Sequence, residues 1–352
     1  MDKARAKAFA GTMIGVMNGG ALALMCSIGH RTGLFDSMAG MDPSTSQQIA
    51  DAAELDERYV REWLAAMASG RIVDYDADAE TFVLPVEHQT LVTRAGGPLN
   101  IASALQNMAL LAQVEDDVVE AFHTGAGVPY SRFPKFGAIM AEESAARYDK
   151  ALISEIIPNI PDAVEKLTAG ATLADVGCGQ GHALLLMAKE YPNSTFTGMD
   201  FSAEAVTHAN ERAKELGLDN AHFVERDAAQ IGEIDAYDFI TTFDAIHDQA
   251  YPHQVLEGIH AALKHDGHYL CVEPKAESNL ADNMDDPVAP YVYTMSTMHC
   301  MSVSIAGGGE GLGTAWGTQL AMQYLADAGF TGITTHEVRS DRTNTHFVAN
   351  KN

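Results

Sequence analysis

A short run of alternating glycines gives this sequence its most specific chemical signal. The apolar segment 171–176 contains Asp175, and Gly177, Gly179 and Gly181 then follow at every second position. The next residues are apolar at helical spacing, so the pattern predicts a strand, a tight turn and a helix. Glycine allows positive φ and close approach of a ligand, and a helix N-terminus presents unpaired N–H groups. The turn therefore predicts a site for a nucleotide-like cofactor.

Polar residues also follow the later predicted strands of the same half of the chain. These strands are residues 194–199, 222–224 and 237–243. Asp200 comes about 20 residues after the glycines, where a carboxylate can bind both hydroxyls of a ribose. The third of these strands leads into Ile246-His247-Asp248. The glycine spacing is G-x-G-x-G rather than the dinucleotide pattern G-x-G-x-x-G.

With these motifs in this order, residues 165–352 resemble the class I S-adenosylmethionine (SAM) methyltransferases. The resemblance implies SAM as cofactor and S-adenosylhomocysteine as product. It implies a cofactor-binding set comprising Asp175, Gly177, Gly179, Gly181, Asp200, Phe201, Asp227, Ala228, Phe243 and Tyr148. In that set Asp175 would hold the amino group of SAM, Asp200 the ribose and Asp227 the adenine amino group. Tyr148 would contact the methyl donor or the acceptor from a covering helix.

The predicted catalytic residues are three polar side chains in the second half of the chain. In plant-type O-methyltransferases an Ile/Cys-His-Asp segment after the fourth strand supplies the base, and the resemblance places His247 there. Histidine has a suitable pKa for removing a hydroxyl or thiol proton. His299 and Tyr293, in a Met-rich insertion, are candidates to orient the acceptor. His247 has a second interpretation, in which it only shapes the adenosyl pocket.

Three alternative functions remain open on the sequence alone. An N-methyltransferase could act by proximity without a base. An NAD-dependent oxidoreductase is disfavoured by the glycine spacing and by the lack of a second nucleotide-binding half. A SAM-sensing winged-helix regulator would not be an enzyme. The preferred prediction is methylation of an oxygen or sulfur nucleophile on a small-molecule acceptor.

Composition and charge limit the partners of the protein. The formal net charge is −26 at pH 7, and such a surface repels nucleic-acid phosphates and anionic membranes. The four cysteines are scattered without CxxC spacing, which predicts neither a metal site nor a disulfide framework and suits the cytoplasm. We therefore expect no nucleic-acid, membrane or metal partner.

The N-terminal region predicts an interface between subunits. Residues 9–28 are largely apolar, and Gly11, Gly15 and Gly19 recur every fourth residue. Such a face allows two helices to cross closely, or would form a dimerisation stripe in a membrane. We expect a helix in a homodimer interface rather than a membrane anchor.

Residues 42–93 predict a winged helix. Two helices are expected from residue 47 and from residue 58, followed by a hairpin around residues 76–80. The hairpin tip is acidic, which a phosphate backbone would repel, so we expect dimerisation rather than DNA binding. The arrangement resembles small-molecule O-methyltransferases. The segments 31–36, 243–248 and 297–301 resemble a mycobacterial-type two-domain methyltransferase family.

The predicted fold class is α/β, with a Rossmann-like methyltransferase domain after a mostly helical winged-helix domain. We predict three regions. Residues 1–95 form the dimerisation domain, residues 96–165 a helical connector that covers the cofactor, and residues 166–352 the catalytic domain. Within the last region, residues 274–317 are expected to form a lid insertion.

Overall fold

A computed structural model describes all residues, 1–352, and divides them into two compact units, Met1–Ala112 and Gln113–Asn352. The predicted connector, residues 96–165, is divided between these units. The chain has no cis peptide bond and no disulfide.

The first unit is mostly helical. Its elements are α1 (Lys3–Thr32), α2 (Leu34–Met38), α3 (Ser46–Ala53), α4 (Glu57–Ser69), β1 (Asp74–Asp76), β2 (Thr81–Val83), α5 (Val86–Val92), α6 (Ile101–Ala104) and α7 (Gln106–Leu111). Strands β1 and β2 form an antiparallel hairpin, so the predicted helix–helix–hairpin order is confirmed.

Local sequence explains where these helices begin and end. Asp2 caps α1 by accepting from the N–H of Ala4 at 2.9 Å, and Gly33 ends the helix in the left-handed conformation. Only the C-terminal part of α1 joins the core, where Trp63 Nε1 donates to the carbonyl of Met25 at 2.8 Å. Residues 1–20 are exposed throughout. The helix Lys3–Thr32 is long and apolar enough to cross a membrane by composition alone, and 11% of its most apolar window is buried.

The second unit contains a seven-stranded sheet flanked by helices. Its helices are α8 (Glu115–Thr124), α9 (Phe136–Ala151), α10 (Ala163–Ala169), α11 (His182–Glu190), α12 (Ala203–Leu216), α13 (Pro252–Ala262), α14 (Leu280–Asn283), α15 (Ala289–Met295), α16 (Met301–Ala306) and α17 (Gly317–Asp327). Its strands are β3 (Thr172–Val176), β4 (Thr195–Asp200), β5 (Ala221–Glu225), β6 (Tyr237–Phe243), β7 (Leu263–Pro274), β8 (Thr331–Val338) and β9 (Asp341–Asn350). Short 3₁₀ and π turns connect several of them.

The strand order is β5-β4-β3-β6-β7-β9-β8, with β9 antiparallel to both neighbours and the first five strands parallel. The predicted Rossmann-like fold class is therefore confirmed. The chain leaves β3 toward β4 and β5, and then returns to place β6 on the other side of β3. Ligands of open α/β sheets bind at the carboxyl ends of the strands where the order reverses in this way. Two clusters of buried apolar residues include side chains from the sheet and from the helices that flank it.

Candidate functional site

The site begins at the carboxyl ends of β3 and β6, which are adjacent in the sheet. Asp175 lies in β3 in register with Thr241 of β6. The Thr241 hydroxyl donates to Oδ1 of Asp175 at 2.8 Å, and the Asp175 side chain is buried. The acid is thus held at the point where the strand order reverses.

The glycine turn follows β3, and its glycines serve different purposes. A Cβ on Gly181, where φ is +76°, would lie 2.3 Å from the Phe223 ring, so this position requires glycine for packing as well as conformation. A Cβ on Gly179, where φ is +54°, would have no atom within 4 Å. A Cβ on Gly177 would meet Ala245 at 2.7 Å. Gly179 therefore faces the open space in which a ligand can approach the backbone.

Asp200 joins this turn to the end of β4. Its Oδ2 accepts from the N–H of Gly179 at 2.8 Å, and its Oδ1 accepts from the N–H of Ser202 at 2.9 Å. Burial raises its pKa above the ordinary aspartate value, and these two hydrogen bonds counteract part of that rise. The carboxylate thus fixes the glycine turn while lying at the position predicted for ribose binding.

The charges at this edge favour a cationic ligand. Burial raises the pKa of Asp175 to about 7, the Thr241 hydrogen bond lowers it, and the nearby Asp200 raises it further. Burial likewise raises the pKa of Asp248, to about 6. These carboxylates are desolvated and repel one another, so their ionised forms are unfavourable in the absence of a ligand. A positively charged ligand nearby would stabilise the ionised forms.

The other predicted cofactor residues lie along the same edge. Asp227, at the end of the turn after β5, caps a 3₁₀ turn by accepting from the N–H of Ala229 at 2.9 Å, with Ala228 between them. Phe201 follows Asp200, is 57% exposed, and contacts the Tyr130 ring edge to face at 5.2 Å. Asp227 is also exposed, so a ligand can reach both residues.

Helix α9 covers the end of β6. Tyr148 is buried, its ring lies 4.8 Å from that of Phe243, and its hydroxyl has no hydrogen-bond partner. The neighbouring Arg147 donates to Oδ2 of Asp244 at 2.8 Å and lies 3.5 Å from Asp341 in β9. Asp244 has a left-handed backbone with φ of +52°. This ion-pair network fixes the covering helix to the sheet edge and places Tyr148 beside Phe243.

His247 is held by a buried glutamate that the sequence did not single out. Its Nδ1 donates to Oε2 of Glu273 at 2.7 Å, and Glu273 lies next to the carboxyl end of β7. The same carboxylate accepts from the Ile246 N–H at 2.9 Å and from Trp316 Nε1 at 3.2 Å. Both members of the pair are buried. Glu273 therefore fixes the ring orientation, and Nε2 is the ring nitrogen that does not face the carboxylate.

The surroundings also set the proton affinity of His247. Burial acts to lower its pKa, but the charge of Glu273 and the nearby Cys300 outweigh burial and hold the pKa well above the ordinary histidine value. Cys300 is buried in a π-helical turn, Ser296–Cys300, of the insertion. The insertion thus contributes directly to the environment of the predicted base.

The two acceptor-orienting candidates have different surroundings. His299 is in the same π-helical turn as Cys300, is fully buried, and has no hydrogen-bond partner on either ring nitrogen. The Tyr293 hydroxyl instead accepts from Nδ2 of Asn283 at 3.1 Å, and Asn283 also bonds the N–H of Glu277 at 2.9 Å. Tyr293 therefore has a partner within the insertion itself.

The insertion is bonded to the segment that contains His247. The Gly313 N–H donates to the carbonyl of His247 at 3.0 Å, and the Glu310 N–H donates to that of Ala250 at 3.1 Å. The Ser304 hydroxyl donates to the carbonyl of Gln249 at 2.8 Å. The glycine-rich segment 306–313 of the insertion is thus hydrogen-bonded to the candidate catalytic segment.

Comparison with known families agrees with this arrangement. Residues 20–94 match the model of the Rv2258c-like winged HTH domain, and residues 167–329 match that of a methyltransferase domain. Together the two models match more than half of the chain. The protein belongs to the class I SAM-dependent methyltransferases that have an N-terminal winged-helix domain.

Solved structures of related proteins share the fold over nearly the whole chain. Human N-acetylserotonin methyltransferase, solved in complex with SAM, is 16% identical with a TM-score of 0.69, covering 100% of this chain and 98% of that one. The mitomycin 7-O-methyltransferase MmcR is 15% identical with a TM-score of 0.71, covering 99% of this chain and 100% of that one. The fold is therefore O-methyltransferase-like.

Curated relatives match over a shorter length. A probable (S)-tetrahydroprotoberberine N-methyltransferase of Papaver bracteatum is 26% identical over 151 residues, which are 42% of each chain. The chain thus spans less than half the length of this relative.

The residues at the sheet edge fit SAM, the cofactor of this family. The open face of Gly179 leaves room for a ligand at the backbone, and Asp175 and Asp200 supply the carboxylates that a cationic ligand requires. Asp200 has further lone pairs for ribose hydroxyls beyond its two backbone bonds. The predicted cofactor is confirmed at the level of the family. The role of each residue stays a prediction.

Proposed function

We propose that this protein methylates a hydroxyl group of a small molecule, with His247 as the general base and a thiol as the alternative nucleophile. One observation supports the proposal most strongly: the buried 2.7 Å hydrogen bond between His247 and Glu273 at the carboxyl edge of the sheet. A neutral amine needs no base of this kind, whereas a hydroxyl must lose its proton as it reacts.

The cofactor residues and the base have separate tasks. Bound SAM supplies a methyl group attached to a positively charged sulfur. Asp175 and Asp200 bind and orient that ligand, and the Tyr148–Phe243 contact excludes water from one side of the site. His247 holds the acceptor and takes its proton, while Glu273 balances the charge that the imidazole acquires. The side chains that perform these tasks are held in place before the ligands bind. Holding the reacting groups in the right geometry lowers the activation barrier of methyl transfer.

The acidic residues of the site limit the charge of the acceptor. The site is lined by acids, including Asp248 with its raised pKa, and the whole chain is strongly acidic. Such a site disfavours polyanionic acceptors such as nucleic acids. The names of the fold relatives, which include a mitomycin O-methyltransferase, agree with a small-molecule acceptor.

We also propose that the protein is a cytoplasmic homodimer formed through α1. Apolar side chains on its first half, such as Phe9, Ile14 and Met17, are 63%, 57% and 66% exposed. A Cβ on Gly11, Gly15 or Gly19 would meet no atom within 4 Å, so this face is open. A contiguous apolar surface of this kind marks an interaction site. A second copy of α1 would approach closely along the glycine side, and further contacts around that crossing would cover part of the other exposed apolar side chains.

The experiment that tests the activity is a screen with methyl-labelled SAM. Phenols, aliphatic alcohols, thiols and amines are supplied one class at a time, and labelled product is measured. The proposal expects transfer to hydroxyl acceptors, with thiols as the second class. Transfer restricted to amines would contradict it and favour the N-methyltransferase alternative. SAM binding without transfer to any class would support the regulator alternative.

A further inference from the structure

Arg147 is a largely buried cation that the proposed mechanism does not use. Its side chain is 17% exposed, and its Nη1 donates to Oδ2 of Asp244 at 2.8 Å. Its Nε lies 3.5 Å from Oδ1 of Asp341, whose side chain is fully buried. His346 holds the same aspartate, with Nε2 3.0 Å from Oδ2. A buried charge that loses its partner is strongly destabilised, so the two carboxylates restrain the guanidinium.

Asp244 is the residue at which β6 turns into the segment that contains His247. Its backbone is left-handed, and its N–H donates to the carbonyl of Val272 at 2.8 Å. A left-handed residue other than glycine costs free energy and persists only where its surroundings hold it. The ion pair with Arg147 and a longer contact with Nδ2 of Asn344, at 3.5 Å, hold the side chain. The direction in which the chain leaves β6 therefore depends on these contacts.

The two ends of this short segment are held on opposite faces of the sheet. Glu273, which holds His247, is in register with Thr345 of β9, so these two side chains lie on one face. Asn344, which contacts Asp244, precedes Thr345, so its side chain lies on the other face because side chains alternate along a strand. The segment therefore crosses the edge of the sheet and is fixed once on each face.

Helix α9 holds the beginning of the segment by two adjacent contacts. The Tyr148 ring lies 4.8 Å from the ring of Phe243, the last residue of β6. Arg147, the preceding residue of the helix, pairs with Asp244, the following residue of the chain. The helix that covers the sheet edge thus determines where the segment with the base begins.

We propose that Arg147 is a positioning residue for methyl transfer, which acts through Asp244 to fix the segment that presents His247 to the acceptor. This inference rests on the proposed function and adds a residue to it. The guanidinium is bound by two carboxylates of the chain itself, so it contacts neither the cofactor nor the acceptor. Its removal therefore disturbs the alignment of the base, and turnover falls far more than the affinity for the cofactor.

Substitution of Arg147 by methionine and by lysine tests the proposal. Methionine removes the charge, whereas lysine keeps the charge without the planar fork. The acceptor is the hydroxyl compound with the highest turnover in the screen, and SAM is saturating. The kcat of Arg147→Met should fall about tenfold or more, while its affinity for S-adenosylhomocysteine in titration calorimetry falls less than about threefold. Arg147→Lys should recover part of the lost kcat.

Three further variants separate positioning from a loss of folding. Arg212→Met is the matched control, because Arg212 also pairs with a carboxylate at 2.8 Å, that of Glu215, but is exposed on α12. It should keep the wild-type kcat. Asp244→Asn leaves the contact of Arg147 with Asp341 and should lower kcat as Arg147→Met does. The double variant should lose no more than either single variant, since both remove one interaction, and additive losses would overturn the proposal.

The imidazole N–H proton of His247 provides a readout that does not require turnover. In the complex with S-adenosylhomocysteine, its short bond to Glu273 should place this proton far downfield in the NMR spectrum, and His247→Ala assigns the signal. Arg147→Met should shift or broaden it, and Arg212→Met should not. An unchanged signal or an unchanged kcat in Arg147→Met would overturn the inference. If no hydroxyl or thiol is methylated, the proposed function fails, and the NMR signal still decides whether Arg147 positions His247.

Discussion

His247 Nδ1 and Glu273 Oε2 lie 2.7 Å apart in a buried pair formed between two adjacent strand ends. Because the carboxylate also accepts from a backbone N–H and from Trp316, it cannot rotate away from the imidazole. The pair is therefore held in one orientation, with the second ring nitrogen of His247 on the side away from Glu273.

The affinity for SAM should depend on pH through Asp175. Its pKa is raised to about 7, and a cationic ligand favours the ionised form. The affinity should therefore rise with pH below about pH 7, by up to about tenfold per pH unit for one proton, and level off above that pH. Titration calorimetry at several pH values measures this. Asp175→Asn should bind weakly with a flatter profile, and an unchanged profile in that variant would exclude Asp175 as the titrating group.

Asp200→Ala should lower the affinity for SAM by about 10- to 100-fold, because a charge-assisted bond to a buried hydroxyl is lost. The matched control is Glu225→Ala, since Glu225 ends the neighbouring strand in register with Asp200 and is exposed. It removes the same charge and should change the affinity little. Equal losses in both variants would mean that only the general negative charge matters.

Substitution of Gly179 by valine should abolish SAM binding, because the new side chain occupies the open space in front of the turn. Its strained φ is expected to cost some stability, and thermal unfolding measures that part separately. Gly181→Val should instead reduce folding itself, since its side chain would overlap the Phe223 ring. If folded Gly179→Val protein still binds SAM, the glycine turn has been misinterpreted.

Ile14→Glu combined with Met17→Glu should convert the proposed dimer to a monomer, because it places charges among the exposed apolar side chains of α1. Light scattering measures the mass. The control replaces Tyr59 and Val86, which are 81% and 71% exposed elsewhere in the first unit, by glutamate. A dimer that persists in the α1 variant would refute the proposed interface. If fractionated cells yield the wild-type protein only in the membrane fraction, α1 is a membrane anchor rather than a dimer interface.

Much of the fold was predictable because local patterns determine it. The strands at 172–176, 195–200 and 237–243 lie within a residue or so of the apolar runs that predicted them. The glycine turn and Asp200 were predictable because both belong to one strand–turn–helix–strand unit. Their spacing in the sequence is therefore set by the local structure. The winged-helix hairpin was found from its turn residues and alternating strands.

The partners of the catalytic residues were not predictable in the same way. Glu273 is one acid at the end of an apolar strand, and only the pairing of β6 with β7 brings it to His247. Asp341 meets Arg147 only because the antiparallel β9 returns to the sheet edge. Cys300 and the aromatic rings around His299 come from segments far apart in the chain. An acid at the carboxyl end of a buried strand was a usable signal for Glu273, because the carboxyl ends of the parallel strands share one edge of the sheet.

The measurement that tests the account most directly is the pH dependence of turnover, with a hydroxyl acceptor, for wild-type, His247→Ala and Glu273→Gln proteins. The wild-type rate should rise with pH through a midpoint above the ordinary histidine pKa of about 6.5, because Glu273 and Cys300 raise the pKa of His247. Glu273→Gln should be slower and shift that midpoint to lower pH. His247→Ala should retain SAM affinity, lose about 10²- to 10⁴-fold in turnover and lose the rise with pH. A His247→Ala variant with near-full turnover and the wild-type pH profile would contradict the role of His247 as the base.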